Sequence, residues 1–157
     1  MTHLAFYAGW PNAMSALKVV RETFEQGGVD LATIGQSVSA AVDLEHARTS
    51  GVAVGAEAGR NNPFSTCLLD CTEAVIEDDL WQRPDLALRD RSLATVAALI
   101  GTANWSALLA QGRHSLGHGV TMVELCELVA HTAFYVGYPK ARRAADVLDP
   151  LGAAVRP

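Results

Sequence analysis

The sequence predicts an all-α fold, and three observations carry that expectation. No segment sustains the period-two alternation of a half-buried strand. Apolar residues instead recur three and four apart, in runs punctuated by glycine and proline. Half of the 157 residues are apolar but only 6% are aromatic, so alanine and aliphatic side chains must build the core. That composition suits closely packed helices.

The elements follow in order. Residues 2–9 are apolar and enter or leave a helix. Trp10–Pro11 opens the next one, since proline suits a first helical turn. Ala13, Ala16, Leu17, Val20 and Phe24 give it an apolar stripe, and Gly27–Gly28 ends it. Helical spacing at Ile34, Val38, Ala41 and Leu44 predicts a helix over about 31–48. Gly51, Gly55 and Gly59 break that pattern, and Asn61–Asn62–Pro63 marks a loop. Phe64, Leu68, Cys71, Val75 and Ile76 mark a helix with an acidic end at 77–79. Asp85 is placed to cap a helix starting near Leu86 and ending at Gly101. A helix over 104–116 and a turn over 117–121 follow. Thr121 and Glu124 have capping-box spacing before an apolar helix over 122–136. Pro139 opens a last helix running to about Leu148.

Length fits a single domain over 1–157 with a sizeable core. Twelve Lys and Arg against seventeen Asp and Glu leave a net charge of −5, the wrong sign for a nucleic-acid partner. No apolar run reaches the roughly 20 residues of a membrane span, and no secretory leader is visible. The expected location is the cytoplasm, and the odd count of three cysteines suits a reducing compartment.

The two ends of the chain repeat each other at a constant offset. His3-Leu4-Ala5-Phe6-Tyr7-Ala8-Gly9-Trp10-Pro11-Asn12-Ala13 aligns with His131-Thr132-Ala133-Phe134-Tyr135-Val136-Gly137-Tyr138-Pro139-Lys140-Ala141. With glycine and proline both in register, the copies should form the same helix–Gly–Pro–helix corner.

Four pieces of sequence then become recognisable. They are W-x-R-P-x-L from Trp81, R-x-R-S-L from Arg89, G-V-T-x-x-E-L-x-E from Gly119 and Y-x-G-x-P-x-A from Tyr135. In order and spacing they resemble the carboxymuconolactone decarboxylase family, which includes the alkylhydroperoxidase AhpD group. The resemblance covers about 64–150. It implies an AhpD-like helical bundle that assembles as a homo-oligomer, a trimer or hexamer, with sites near subunit interfaces. Residues 2–26 look like the C-terminal corner of a preceding, incomplete family repeat.

The peroxidase branch of the family needs a Cys-x-x-Cys pair. Here the corresponding positions fall near Asn104 and Ala107, which excludes that chemistry. Cys67 and Cys71, four apart, and Cys126 are expected in the core. The expected activity is instead a lyase step of secondary metabolism without metal or cofactor. It would be decarboxylation, or a related proton-transfer or ring-forming step, on a small cyclic or polyketide-like acid. Such a step needs a cation for the carboxylate, a donor for the enolate oxygen and an acid for the carbon. Arg89 and Arg91 match the family's arginine pair, as a carboxylate clamp or as partners of the acidic stretch 77–79. Glu127 and His131 are four apart on one helical face and form an acid/base candidate, or a buried structural pair. His114 is an auxiliary donor, one turn from Gln111, where the family usually carries histidine. Trp81, Tyr135 and Gln111 are expected to line the substrate pocket. His114 and His118 also have the spacing of a metal-binding pair. His3 repeats His131 without a preceding carboxylate and is expected to be structural or disordered. The alternative is a non-catalytic helical protein that binds a small molecule.

Overall fold

The computed structural model describes residues 2–30 and 72–153. The expected helix over 31–48, the glycine-rich stretch and loop over 51–63, and Cys67 and Cys71 lie outside the described residues. All regular structure among the described residues is helical. The helices are α1 (Thr2–Ala8), α2 (Trp10–Gln26), a π-helical segment (Thr72–Leu80), α3 (Leu88–Gly101), α4 (Trp105–Gly117), α5 (Met122–Val136) and α6 (Tyr138–Ala153).

Helices α3 to α6 pack as a bundle around Val96, Leu99, Ile100, Leu108, Leu125, Ala144, Leu148 and Leu151. Small residues allow close approach where α4 crosses α6. A Cβ added at Gly112 would lie 2.6 Å from a Leu148 methyl and 2.9 Å from a Leu151 methyl. The start of α5 has the expected capping box. Thr121 Oγ1 accepts the Glu124 N–H, and the Glu124 carboxylate accepts the Thr121 N–H. No helix among the described residues is long and apolar enough to cross a membrane.

Three boundaries differ from expectation. Asp85 does not cap α3, which starts after Ala87 without a side-chain cap. The buried Arg91 guanidinium takes the Asp85 carboxylate as a counter-charge instead. The acidic stretch 77–79 falls in π-helical geometry, whose wide turn ends with the Trp81 N–H donating to the Ile76 carbonyl at 2.9 Å. Finally, α6 continues through Pro150 to Ala153. The missing N–H falls in the last turn, and Leu151 still packs into the core.

The repeated sentence folds twice into one corner. Gly9 has φ 84° and ψ 148°, and Gly137 has φ 89° and ψ 148°. A left-handed φ with extended ψ suits glycine and little else. After each glycine, Ala13 and Ala141 donate their N–H to the Gly9 and Gly137 carbonyls at 3.2 Å. The corners differ in what they cover. Helix α1 lies on α3 and the π-helical segment, whereas α2 packs on α1 and makes no extensive contact with the bundle. Helices α5 and α6 are part of the bundle, α5 packing on α3, α6 on α4, and both on each other.

Candidate functional site

The site is built on α3, where Ser92 and Thr95 lie one turn apart and are fully buried. Each hydroxyl donates its proton to a carbonyl four residues back, Ser92 to Leu88 at 2.8 Å and Thr95 to Arg91 at 2.9 Å. Each hydroxyl oxygen also meets an imidazole. His3 Nε2 lies 2.6 Å from Thr95 Oγ1, and His118 Nδ1 lies 2.7 Å from Ser92 Oγ. A hydroxyl whose proton is already given must accept. So His3 carries its proton on Nε2 and His118 carries its proton on Nδ1. The other nitrogen of each ring, His3 Nδ1 and His118 Nε2, holds a free lone pair. His3 Nδ1 is buried without a partner among the described residues.

Trp81 sits between the two imidazoles. Its ring centroid is 5.2 Å from His3, edge to face, and 5.7 Å from His118. The indole N–H donates to the Tyr7 hydroxyl at 2.9 Å, and Tyr7 stacks on His3 at 5.0 Å. His114 continues the array, 6.3 Å from His118, with a buried Nδ1 that has no partner among the described residues. Burial disfavours charge on His3 and His118. It pushes the His3 pKa down to about 4, with Arg91 adding repulsion. His118 is lowered by burial and by neighbouring His114. The Tyr7 phenol is pushed up to about 12 by burial, so it stays a neutral donor.

The expected site residues distribute unevenly over this geometry. Trp81 and His114 belong to the array. Gln111 is buried on α4 with its Nε2 unpartnered, hence a spare donor. Arg91 is adjacent, with both terminal nitrogens committed and its Nε buried without a hydrogen-bond partner among the described residues. Its guanidinium donates to the Leu80, Arg83 and Leu86 carbonyls and to Asp85, which makes it the fastener of the turn that carries Trp81. Arg89 is held at the surface by Glu124 and Asp90, and the acidic stretch is served by Arg83, which pairs with Asp79. Neither family-matched arginine is a free carboxylate clamp.

Glu127, His131 and Tyr135 are exposed on α5. They take no part in the array's hydrogen bonds or ring contacts, and Glu127 and His131 make no hydrogen bond with each other. The expectation of a buried pair fails because α5 turns its Leu125 and Thr132 side inward. Cys126, expected in the core, is exposed for the same reason. It borders an apolar groove of about 360 Å³ between α5 and α6, among Met122, Val129 and Leu148. Among the described residues Asp149 is the one charged residue lining that groove, so it offers little proton chemistry. No third metal-ligating side chain joins His114 and His118 among the described residues.

His3, Tyr7, Ser92, Thr95 and the Ser92–His118 pairing were not legible as a site. Two signals pointed to them: the histidine and tyrosine in register in the repeat, and two hydroxyl residues one turn apart on one helix.

The fold and array define a helical protein with two imidazole–hydroxyl pairs set on one helix. Residues 68–150 match the carboxymuconolactone decarboxylase family, and the chain belongs to it. It is similar to the nitrosuccinic acid decarboxylase of Metarhizium robertsii, 40% identical over 65 residues, which are 41% of this chain and 46% of that protein. It is also similar to the 4-carboxymuconolactone decarboxylase of Acinetobacter baylyi, 35% identical over 73 residues, 46% of this chain and 54% of that protein. The chain thus spans about half the length of these curated relatives.

Proposed function

We propose that this protein decarboxylates a small organic acid, with its own side chains moving the proton. The observation that carries this reading is the pair of imidazoles locked by Ser92 and Thr95, each turning a lone pair away from α3. Loss of CO₂ leaves an electron pair on the α-carbon, delocalised onto a neighbouring carbonyl or nitro oxygen. The Tyr7 hydroxyl, polarised by the indole N–H it accepts, is the donor for that oxygen. His118 is half-buried, so its Nε2 can collect a proton from water and pass it to the carbon. His3 Nδ1 can hold the proton of a substrate hydroxyl inside the site. The names of both relatives, decarboxylases of small acids, support the reaction class.

The test is CO₂ release from 4-carboxymuconolactone and from nitrosuccinate. His118→Asn and Tyr7→Phe should each lower turnover by roughly a hundredfold or more while leaving the helical circular dichroism unchanged. Turnover at the full rate in both variants overturns this site.

A binding-only role has one observation in its favour: Arg89 and Arg91 are spent within the protein, so the array lacks an evident anion clamp. Thermal stabilisation by these acids without CO₂ release would decide for that role.

A further inference from the structure

Two polar anchors hold helix α1 on α3 and Trp81, and one of them turns against the fold when it gains a proton. His3 Nε2 meets Thr95 Oγ1 at 2.6 Å, and the Tyr7 hydroxyl accepts the Trp81 indole N–H at 2.9 Å. The Thr95 hydroxyl gives its own proton to the Arg91 carbonyl, so Nε2 is already the protonated nitrogen. A second proton can enter only at Nδ1, which is buried with no partner among the described residues. There it makes a charged donor with nothing to receive it. The surrounding charges add to that cost. Arg91 of α3, itself 1% exposed, and the chain's amino terminus repel an imidazolium at this place. Asp85 of the turn after Trp81 attracts it, but that carboxylate is paired with Arg91 and half open to water. Tyr7 faces the ring as a neutral phenol, and Glu77 of the π-helical segment acts on Tyr7. His118 lies across the Trp81 ring. Among the described residues, no charge of α2 acts on His3.

We propose that α1 is an acid-released latch: protonation of His3 lifts Thr2–Ala8 off α3 and uncovers Trp81 while the bundle stays folded. The construction allows a local release. Helix α1 has seven residues, and the chain turns at Gly9 into α2, which makes no extensive contact with the bundle among the described residues. The buried core of α3 to α6 contains no residue of α1. The undocked ring accepts the proton that the docked ring refuses. Its pKa is the ordinary 6.5 when free and about 4 when docked. Docking is therefore at full strength above pH 6.5 and weakens as pH falls towards 4. Tyr7 leaves with the helix, so turnover falls over the same range. That consequence rests on the proposed decarboxylation, and the release itself does not.

Hydrogen exchange resolved by residue is the test. Protection factors, corrected for the intrinsic pH dependence of exchange, should fall for Phe6 to Ala8 by roughly fiftyfold between pH 7 and pH 4.5. The amides of α3 to α6 should keep their protection. In a Trp10→Phe, Trp105→Phe background, acrylamide should quench the remaining Trp81 severalfold more strongly at pH 4.5. His3→Gln keeps an N–H for Thr95 without titrating and should remove both acid effects. His118→Asn should leave both in place. Unchanged protection of α1 at pH 4.5 overturns the proposal, and so does loss of protection in α1 and the bundle together. An α1 that is equally acid-labile in His3→Gln, or no longer acid-labile in His118→Asn, overturns it too. Where His3→Gln fails to fold, the parent chain and His118→Asn decide. None of these readouts needs turnover, so they stand or fall apart from the proposed function.

Discussion

A histidine enclosed away from water is easier to keep neutral than to charge, and His3 shows the consequence for stability. Its pKa falls from the ordinary 6.5 to about 4 on folding, chiefly because burial penalises the imidazolium. The unfolded chain therefore binds a proton that the folded chain refuses between those values. His3 costs nothing above pH 6.5, and stability is lost as pH falls from 6.5 towards 4, by up to roughly 3 kcal/mol. Gln at position 3 keeps an N–H donor for Thr95 but does not titrate. Urea midpoints measured near neutrality and near pH 4.5 should fall further for the parent chain than for His3→Gln. Arg91 is the other residue whose burial has a large consequence. Its guanidinium bonds three carbonyls of the turn at 80–86. Arg91→Met should lower unfolding stability by about 3 kcal/mol, because buried acceptors lose their donor. It should also shift the emission of Trp81. A purely substrate-binding arginine would leave both unchanged.

At the scale of the element, spacing and punctuation were good guides where local chemistry decides. The Thr121 cap, the span of α5 and the Gly27 end of α2 follow from backbone groups that need partners at helix ends. They failed where a distant partner competes, as when Arg91 draws Asp85 away from the start of α3. The inward side of α5 was misjudged because the helix is apolar almost all round, so periodicity alone cannot pick the packed face. Close packing gives a prediction of its own. Gly112→Val places three carbons where the Leu148 and Leu151 methyls already sit. Stability should fall by about 2 kcal/mol, read from a denaturant midpoint. An unchanged midpoint would mean that α4 and α6 can part cheaply.

For the whole molecule, the all-α class was legible from composition and period, and the family from four motifs. The site was legible only in part. Trp81, His114 and Gln111 stood out by type, but the array joins residues 3 and 118, and no local pattern encodes such a pairing. In the sequence a carboxylate precedes His131 by one turn and none precedes His3, which favours His131 as the acid/base residue. Tertiary packing buries the other member of the repeat. Sequence similarity marks the repeated corner; the bundle decides which copy of its histidine is buried.

Helix α1 does two jobs with the same seven residues: it supplies His3 and Tyr7, and it roofs Trp81, which is 1% exposed. Under the proposed function, a roof that also carries His3 and Tyr7 cannot serve as the door, because lifting it would remove those two groups from the array. The proposed substrate would then enter along the opposite edge, where His114 and His118 are only half-buried, and selectivity would belong to the end of α4.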